Sequence, residues 1–210
     1  MFMVDTQLDV PHVSASEWID RIDRFFHHGA VPVAVVLSDL DGFGPINERH
    51  GRKAGDRVLT VWEKTLLANV PSDAMVVRIG GDEYAVALPG SSAENALILF
   101  EEIRGHFAAQ SVSGVDLPLG ASAGIAAAPP HGATGEELHR AAGEALMRAK
   151  REGRGRVAIY VDEKMTLKSN YYSRANLDRL AKLSGATSRT EASLLREALD
   201  DLFEKYRDAM

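Results

Sequence analysis

The sequence predicts an α/β fold followed by a small tail of one strand and two helices, on three observations. Stretches of helical and strand periodicity alternate over the first 160 residues. A β-rich pair, 75–79 and 84–88, encloses Gly80-Gly81-Asp82-Glu83, the clearest hairpin signal in the chain. From about residue 162 the pattern changes to one short polar strand and two helices, which sets expected domains of 1–161 and 162–210.

Taken in order, residues 1–30 form a leading segment and a helix, with Trp18, Ile22, Phe25 and Phe26 on one stripe. Val31 to Leu37 reads as a buried strand, ended by an acidic turn at Asp39-Leu-Asp-Gly. Asn47 to about Asn69 is expected as one helix with Val58, Leu59, Trp62, Leu66 and Leu67 inward. The hairpin follows, and then a helix from Ser92 to Ala109. Val115 to Ala127 is expected to hold a strand pair, ended by Pro129-Pro130. Thr134 to Lys150 is helical, Gly153-Arg-Gly breaks it, and Arg156–Val161 is a last strand. Such an arrangement covers at least one face of a sheet with helices.

In the tail, Thr166 to Tyr172 reads as the strand and Arg174 to Leu183 as the first helix. Ser188-Arg-Thr-Glu191 is a capping box for a second helix, whose Leu194, Leu195, Ala198, Leu199 and Leu202 share a face. So few apolar residues make a poor solitary core, and the module is expected to complete itself with a second copy.

Composition narrows the function classes. Of 210 residues, 45% are hydrophobic and 26% charged, an ordinary globular balance. No cysteine is present, which excludes disulfides, thiolate metal sites and cysteine nucleophiles. No apolar run approaches the ~18 residues of a membrane span, and no secretory signal is visible, so no membrane association and a cytoplasmic location are expected. The net charge is −6, yet residues 163–189 hold six Lys/Arg against two acids, which leaves nucleic acid open as a partner. There is no P-loop and no nucleophile elbow, and His27-His28 lacks a third metal ligand nearby.

The chemistry-bearing residues are acidic. Asp39 and Asp41 follow a buried strand, and Asp82 with Glu83 occupies a hairpin tip. Two carboxylate clusters on adjacent loops suit Mg²⁺, whose coordination is completed by water and phosphate. Gly80-Gly81 lets backbone approach a phosphate closely. Each motif alone is common in turns and caps.

Their ordered combination is informative. Ser38-Asp-Leu-Asp-Gly-Phe-Gly-Pro-Ile-Asn, Gly55-Asp56, Arg78-Ile-Gly-Gly-Asp-Glu-Tyr84, Ser122-Ala-Gly-Ile and Arg148-Ala-Lys-Arg-Glu-Gly-Arg154 together resemble the GGDEF family of diguanylate cyclases, over about residues 30–161. The resemblance implies a palm-like α+β domain of nucleotidyl cyclase type. It also implies GTP as substrate, Mg²⁺ or Mn²⁺ as cofactor, and cyclic di-GMP made between two facing domains. Carried over by position, Asp39, the Leu40 carbonyl, Asp82 and Glu83 would hold metal, with Asp82 and Glu83 catalytic. Phe43, Gly44, Asn47, Arg52, Asp56, Gly80, Gly81, Lys150 and Arg154 would bind substrate, Asn47 and Asp56 at the guanine edge and Lys150 and Arg154 at the terminal phosphates. The chain departs from the pattern at Gly44, where the family has lysine, at Gly51-Arg52 for Gly-His, and at Gly143, Met147 and Tyr84. These departures thin the phosphate clamp.

The tail, about 164–207, resembles a ribbon-helix-helix domain. That resemblance implies a homodimer whose paired strands enter double-stranded DNA, with Lys168, Asn170 and Tyr172 on the DNA face if Tyr171 points inward. Two readings of the whole chain follow. One is a dimeric diguanylate cyclase coupled to a DNA-binding module. The other is a DNA-binding regulator whose degenerate GGDEF domain binds GTP or cyclic di-GMP without turnover.

Overall fold

The computed structural model describes residues 10–27, 32–161, 171–187 and 191–206. The chain divides into two compact units, Met1–Val161 and Asp162–Met210.

The first unit is a five-stranded sheet between two helical layers. Its elements are α1 (Ala15–His27), β1 (Val33–Leu40), α2 (Phe43–His50), α3 (Arg52–Asn69), β2 (Met75–Arg78), β3 (Glu83–Pro89), α4 (Ala93–Ala108), β4 (Ala121–Ala128), α5 (Gly135–Arg151) and β5 (Val157–Ile159). Strand order is β2-β3-β1-β4-β5. All neighbours are antiparallel except β4 and β5, which run parallel.

Central β1 is buried almost throughout, and its side chains divide by the period of two. Ala34 and Val36 join Val58, Trp62, Leu66, Phe100 and Phe107 under α3 and α4. Val33, Val35 and Leu37 join Trp18, Ile22, Leu138, Ala142 and Leu146 under α1 and α5. Helices therefore cover both faces. Strand β4 is built of small residues, and a Cβ at Gly124 would lie 2.7 Å from the Cα of Leu146, so α5 rests directly on the sheet backbone.

Three expectations are corrected. Asp39 and Leu40 belong to β1 rather than to a turn, because Asp39 pairs with Glu83 on one side and Ser122 on the other. The single helix expected over 47–69 is two, divided at Gly51, whose φ of 79° suits glycine and whose N–H caps the Asn47 carbonyl at 2.9 Å. Only β4 forms in 115–127. The segment before it contains Pro118 and is held by side chains, with Arg57 donating to the Ser113 carbonyl (2.8 Å) and Arg49 pairing with Asp116 (2.7 Å).

The second unit contains α6 (Arg174–Thr187) and α7 (Glu191–Lys205). Among its described residues only Leu194 is buried, while Leu177, Leu183, Leu195, Leu199 and Leu202 are exposed. The expected strand over 166–172 falls outside the described residues except for Tyr171 and Tyr172, which have no strand pairing. No helix among the described residues is long and apolar enough to cross a membrane.

Candidate functional site

The sheet places the acidic residues at one end. Asp39 lies near the C-terminal end of β1, directly opposite Glu83 in β3, and the Leu40 N–H donates to the Asp82 carbonyl at 3.3 Å. The strand end and the hairpin tip are therefore joined backbone to backbone. Lys150, in the last turn of α5, sets its Nζ 2.7 Å from Asp39 Oδ2. Both partners are largely shielded, which makes this pair stronger than a surface one.

Asp82 is held above the usual carboxylate range, first by burial and then by the negative charge of Asp39; Lys150 opposes this. Burial and a neighbouring carboxylate together disfavour the charged form of Asp82, and a cation beside it would favour that form. Among the described residues no three His, Asp or Glu side chains cluster tightly enough to hold a metal by themselves. Mg²⁺ is commonly bound through one or two carboxylates plus substrate phosphates and waters, and this donor set fits that manner of binding.

Asn47 and Gly55 explain each other. Asn47 on α2 lies against α3, where a Cβ at Gly55 would stand 2.9 Å from Asn47 Cγ and nearer still to Oδ1. Without that glycine the amide could not lie where it does. Asp56 and Arg52 are exposed on the same first turns of α3. Phe43 is half-buried and packs on the sheet core, while Gly44 beside it is exposed. The N-terminus of α2 carries no side-chain cap, and its first turn holds the backbone N–H groups of Phe43 and Gly44, where the helix dipole favours an anion.

Arg154 is exposed, has a φ of 60°, and borders a crevice of ≈430 Å³ with Asp41, Ile46, Leu119 and Gly155. Asp41, read in the sequence only as part of an acidic cluster, accepts from Ser122 Oγ (2.8 Å) and from the Gly155 N–H (2.9 Å), clasping the loop that carries Arg154. The Ser122-Ala-Gly-Ile motif was the available signal for that clasp. Tyr84 is wholly buried, and its hydroxyl donates to Glu63 Oε1 at 2.7 Å, which satisfies the polar atom the family's phenylalanine lacks.

His139 was also missed. It is half-buried on α5 and lines a ≈280 Å³ cavity with Ser38, Glu83, Gly143, Met147 and Lys150. Burial lowers its pKa, against the raising influence of Glu83. Of the residues assigned to DNA, Lys168 and Asn170 lie outside the described residues. Tyr171 is fully exposed, and Tyr172, also exposed, borders a groove with Leu177, Leu180 and Leu195.

Comparison with known proteins agrees with this geometry. Residues 16–156 match the family described as "Diguanylate cyclase, GGDEF domain". Diguanylate cyclase DgcP of Pseudomonas aeruginosa is 35% identical over 160 residues, 75% of this chain and 24% of that protein. Diguanylate cyclase DosC of Escherichia coli is 35% identical over 132 residues, 61% of this chain and 28% of that one. The chain thus spans about a quarter of the length of these relatives. Among solved structures, the GGDEF domain of YfiN from Pseudomonas aeruginosa superposes with a TM-score of 0.67 at 30% identity, covering 74% of this chain and 99% of that one. The active GGEEF domain of a Vibrio cholerae diguanylate cyclase gives 0.64 at 26% identity, covering 70% and 94%. With the carboxylates, the glycine hairpin and the Asn47–Gly55 contact in place at one end of this sheet, the chain belongs to the GGDEF family.

Proposed function

We propose that the first unit condenses two molecules of GTP into cyclic di-GMP, with Mg²⁺ or Mn²⁺, between two copies of the domain. The observation that carries this reading is the Asp39–Asp82 pair at the joined strand end and hairpin tip, with Lys150 as the only cation in contact with Asp39 among the described ion pairs. Asp39, the Leu40 carbonyl, Asp82 and Glu83 would hold the metal, which supplies Lewis-acid polarisation of the phosphate and of the attacking hydroxyl. The chain's own residues do the rest. Asn47 and Asp56 receive the guanine edge, with Arg52 beside them. Backbone N–H groups at Phe43, Gly44 and Gly81 face phosphate oxygens, Gly80 supplies the tight turn that lets them approach, and Lys150 and Arg154 hold the terminal phosphates. In each half-reaction the ribose 3′-oxygen bonds to the α-phosphorus of the other nucleotide, the bond to pyrophosphate breaks, and the hydroxyl proton leaves toward Glu83.

The tail supports a further part of this reading. Its exposed leucines on α7 continue an apolar face that one chain leaves uncovered, which favours a homodimer through residues 162–210 in the manner of a ribbon-helix-helix domain, with double-stranded DNA as its partner. A GTP-using enzyme of this kind works in the cytoplasm. The second reading, a regulator that binds nucleotide without turnover, is favoured by Gly44, which removes one phosphate lysine. Incubating the pure protein with GTP and Mg²⁺ and separating the nucleotides decides between them. Cyclic di-GMP accumulation, absent with Asp82→Ala, supports synthesis. Unchanged GTP with saturable binding supports the regulator.

A further inference from the structure

Behind the glycine hairpin stands a side-chain network that the reaction above does not use. Arg78, the last residue of β2, donates from Nε to the Gly80 carbonyl at 3.1 Å and from Nη2 to the Gly81 carbonyl. Its guanidinium carbon lies 5.8 Å from the Tyr84 ring centroid. Its Nη1 stands 4.0 Å from Glu63 Oε1, the same oxygen that accepts the Tyr84 hydroxyl at 2.7 Å. Tyr84 is itself fixed, wholly buried and edge-on to Trp62 with ring centroids 6.4 Å apart. The planar fork of Arg78 is thus set by an aromatic ring, a carboxylate and two carbonyls.

Peptide planarity turns that grip into a direction. In a trans peptide the N–H points opposite to the carbonyl of the preceding residue. Holding the Gly80 carbonyl inward toward Arg78 turns the Gly81 N–H outward. Holding the Gly81 carbonyl likewise sets the direction of the Asp82 N–H and so the plane from which the Asp82 side chain projects. The Gly80 N–H is already bonded to the Glu83 carbonyl at 3.3 Å, within the hairpin.

We propose that Glu63 and Tyr84 are positioning residues: by holding Arg78 they aim the Gly81 N–H at the nucleotide's phosphate and fix the orientation of Asp82. The phosphate part rests on the GTP reading of this site; the network itself does not. Neither residue needs to touch substrate. The Tyr84 hydroxyl, where the family has phenylalanine, gives this chain a second anchor for Glu63 besides Arg78.

The test compares Tyr84→Phe, Glu63→Gln, Glu63→Ala and the Glu63→Ala/Tyr84→Phe double variant in the full chain. Amide hydrogen exchange at Gly81 and Asp82, read by NMR without nucleotide, should rise about threefold in Tyr84→Phe and about tenfold in Glu63→Ala. The double variant should match Glu63→Ala alone, since Tyr84 acts through Glu63. Glu63→Gln, which keeps an acceptor for Tyr84 but loses the charge facing Arg78, should fall between. Affinity for a non-hydrolysable GTP analogue should fall in the same rank order, with the melting temperature of Tyr84→Phe close to that of the parent. Exchange unchanged in Glu63→Ala, additive effects in the double variant, or raised exchange with unaltered analogue affinity would each overturn the proposal. Failure of the cyclase reading alone looks different: no cyclic di-GMP forms, while the exchange pattern and analogue binding follow the network.

Discussion

Replacing Gly55 with alanine should empty the guanine position without harming the fold. The new Cβ would lie 2.9 Å from Asn47 Cγ, inside the ordinary contact range of 3.4–4 Å, and closer still to Oδ1. Either the α2–α3 contact opens or the Asn47 amide swings away, and the amide moves more easily because it ends a rotatable side chain on a half-buried residue. Helix α3 itself gains, since alanine is favoured over glycine in a helix by about 0.8–1 kcal/mol. The loss falls on binding. An amide that serves guanine with two hydrogen bonds, each worth roughly 0.5–1.5 kcal/mol net, costs about 1–3 kcal/mol when displaced. At 1.4 kcal/mol per tenfold, affinity for GTP should drop roughly 5- to 150-fold. Calorimetric titration of GTP into parent and variant measures this, with thermal unfolding alongside and ATP as the control nucleotide. A variant that binds GTP as tightly as the parent, with a normal melting temperature, would refute the assignment of Asn47 to guanine.

Four other outcomes are expected. Asp82→Ala should abolish cyclic di-GMP formation while leaving the melting temperature at pH 7 equal or higher, because it removes a partly buried charge that also faces Asp39; near-normal turnover removes Asp82 from the metal site. Gly44→Lys should be accommodated, since a Cβ there meets nothing within 4 Å, and should tighten GTP binding by up to about fivefold, the worth of an exposed ion pair of up to ~1 kcal/mol; unchanged binding shows the clamp is not limiting. His139 has a folded pKa below its ordinary value, so below about pH 6.5 the unfolded chain takes up the proton first and stability falls with pH; His139→Gln should flatten the melting-temperature profile between about pH 7 and pH 5, and an identical profile refutes this. Truncation after Val161 should leave a unit that binds GTP but whose turnover falls steeply on dilution, whereas a truncated protein that stays dimeric and equally active at nanomolar concentration shows that the tail is not the dimerising element.

Much of the first unit was legible because its signals are local. The Trp18–Ile22 stripe, the hairpin flanking Gly80-Gly81, and the Thr134 cap of α5 each declare themselves within a few residues. The break at Gly51 was missed because apolar periodicity continues on both sides of it, and only a positive φ marks the boundary. The strand pair over 115–127 was overcalled because Val115, Leu117 and Leu119 alternate like a strand, yet Pro118 lacks a donor and arginines from α2 and α3 hold the segment as a loop. In the site, the acidic and glycine motifs were readable in order. Glu63, Asp41 and His139 gained their roles only from partners far away in sequence, such as Ser122 for Asp41, 81 positions on. No window of sequence brings such pairs together.

The close seating of α5 on β4 limits where adaptation can occur. With the backbone of Leu146 pressed against the place where Gly124 has no side chain, the helix can neither slide nor tilt without parting from the sheet. The Cα of Lys150, one turn further along, is therefore as fixed as the strands are. All the reach of its ammonium comes from the four-carbon stem, whose torsions let it leave Asp39 for another anion a few ångströms away. The site thus joins an immovable mount to a single pliant arm, and a bulkier residue at Gly124 would displace the mount itself, some distance from the charge it carries.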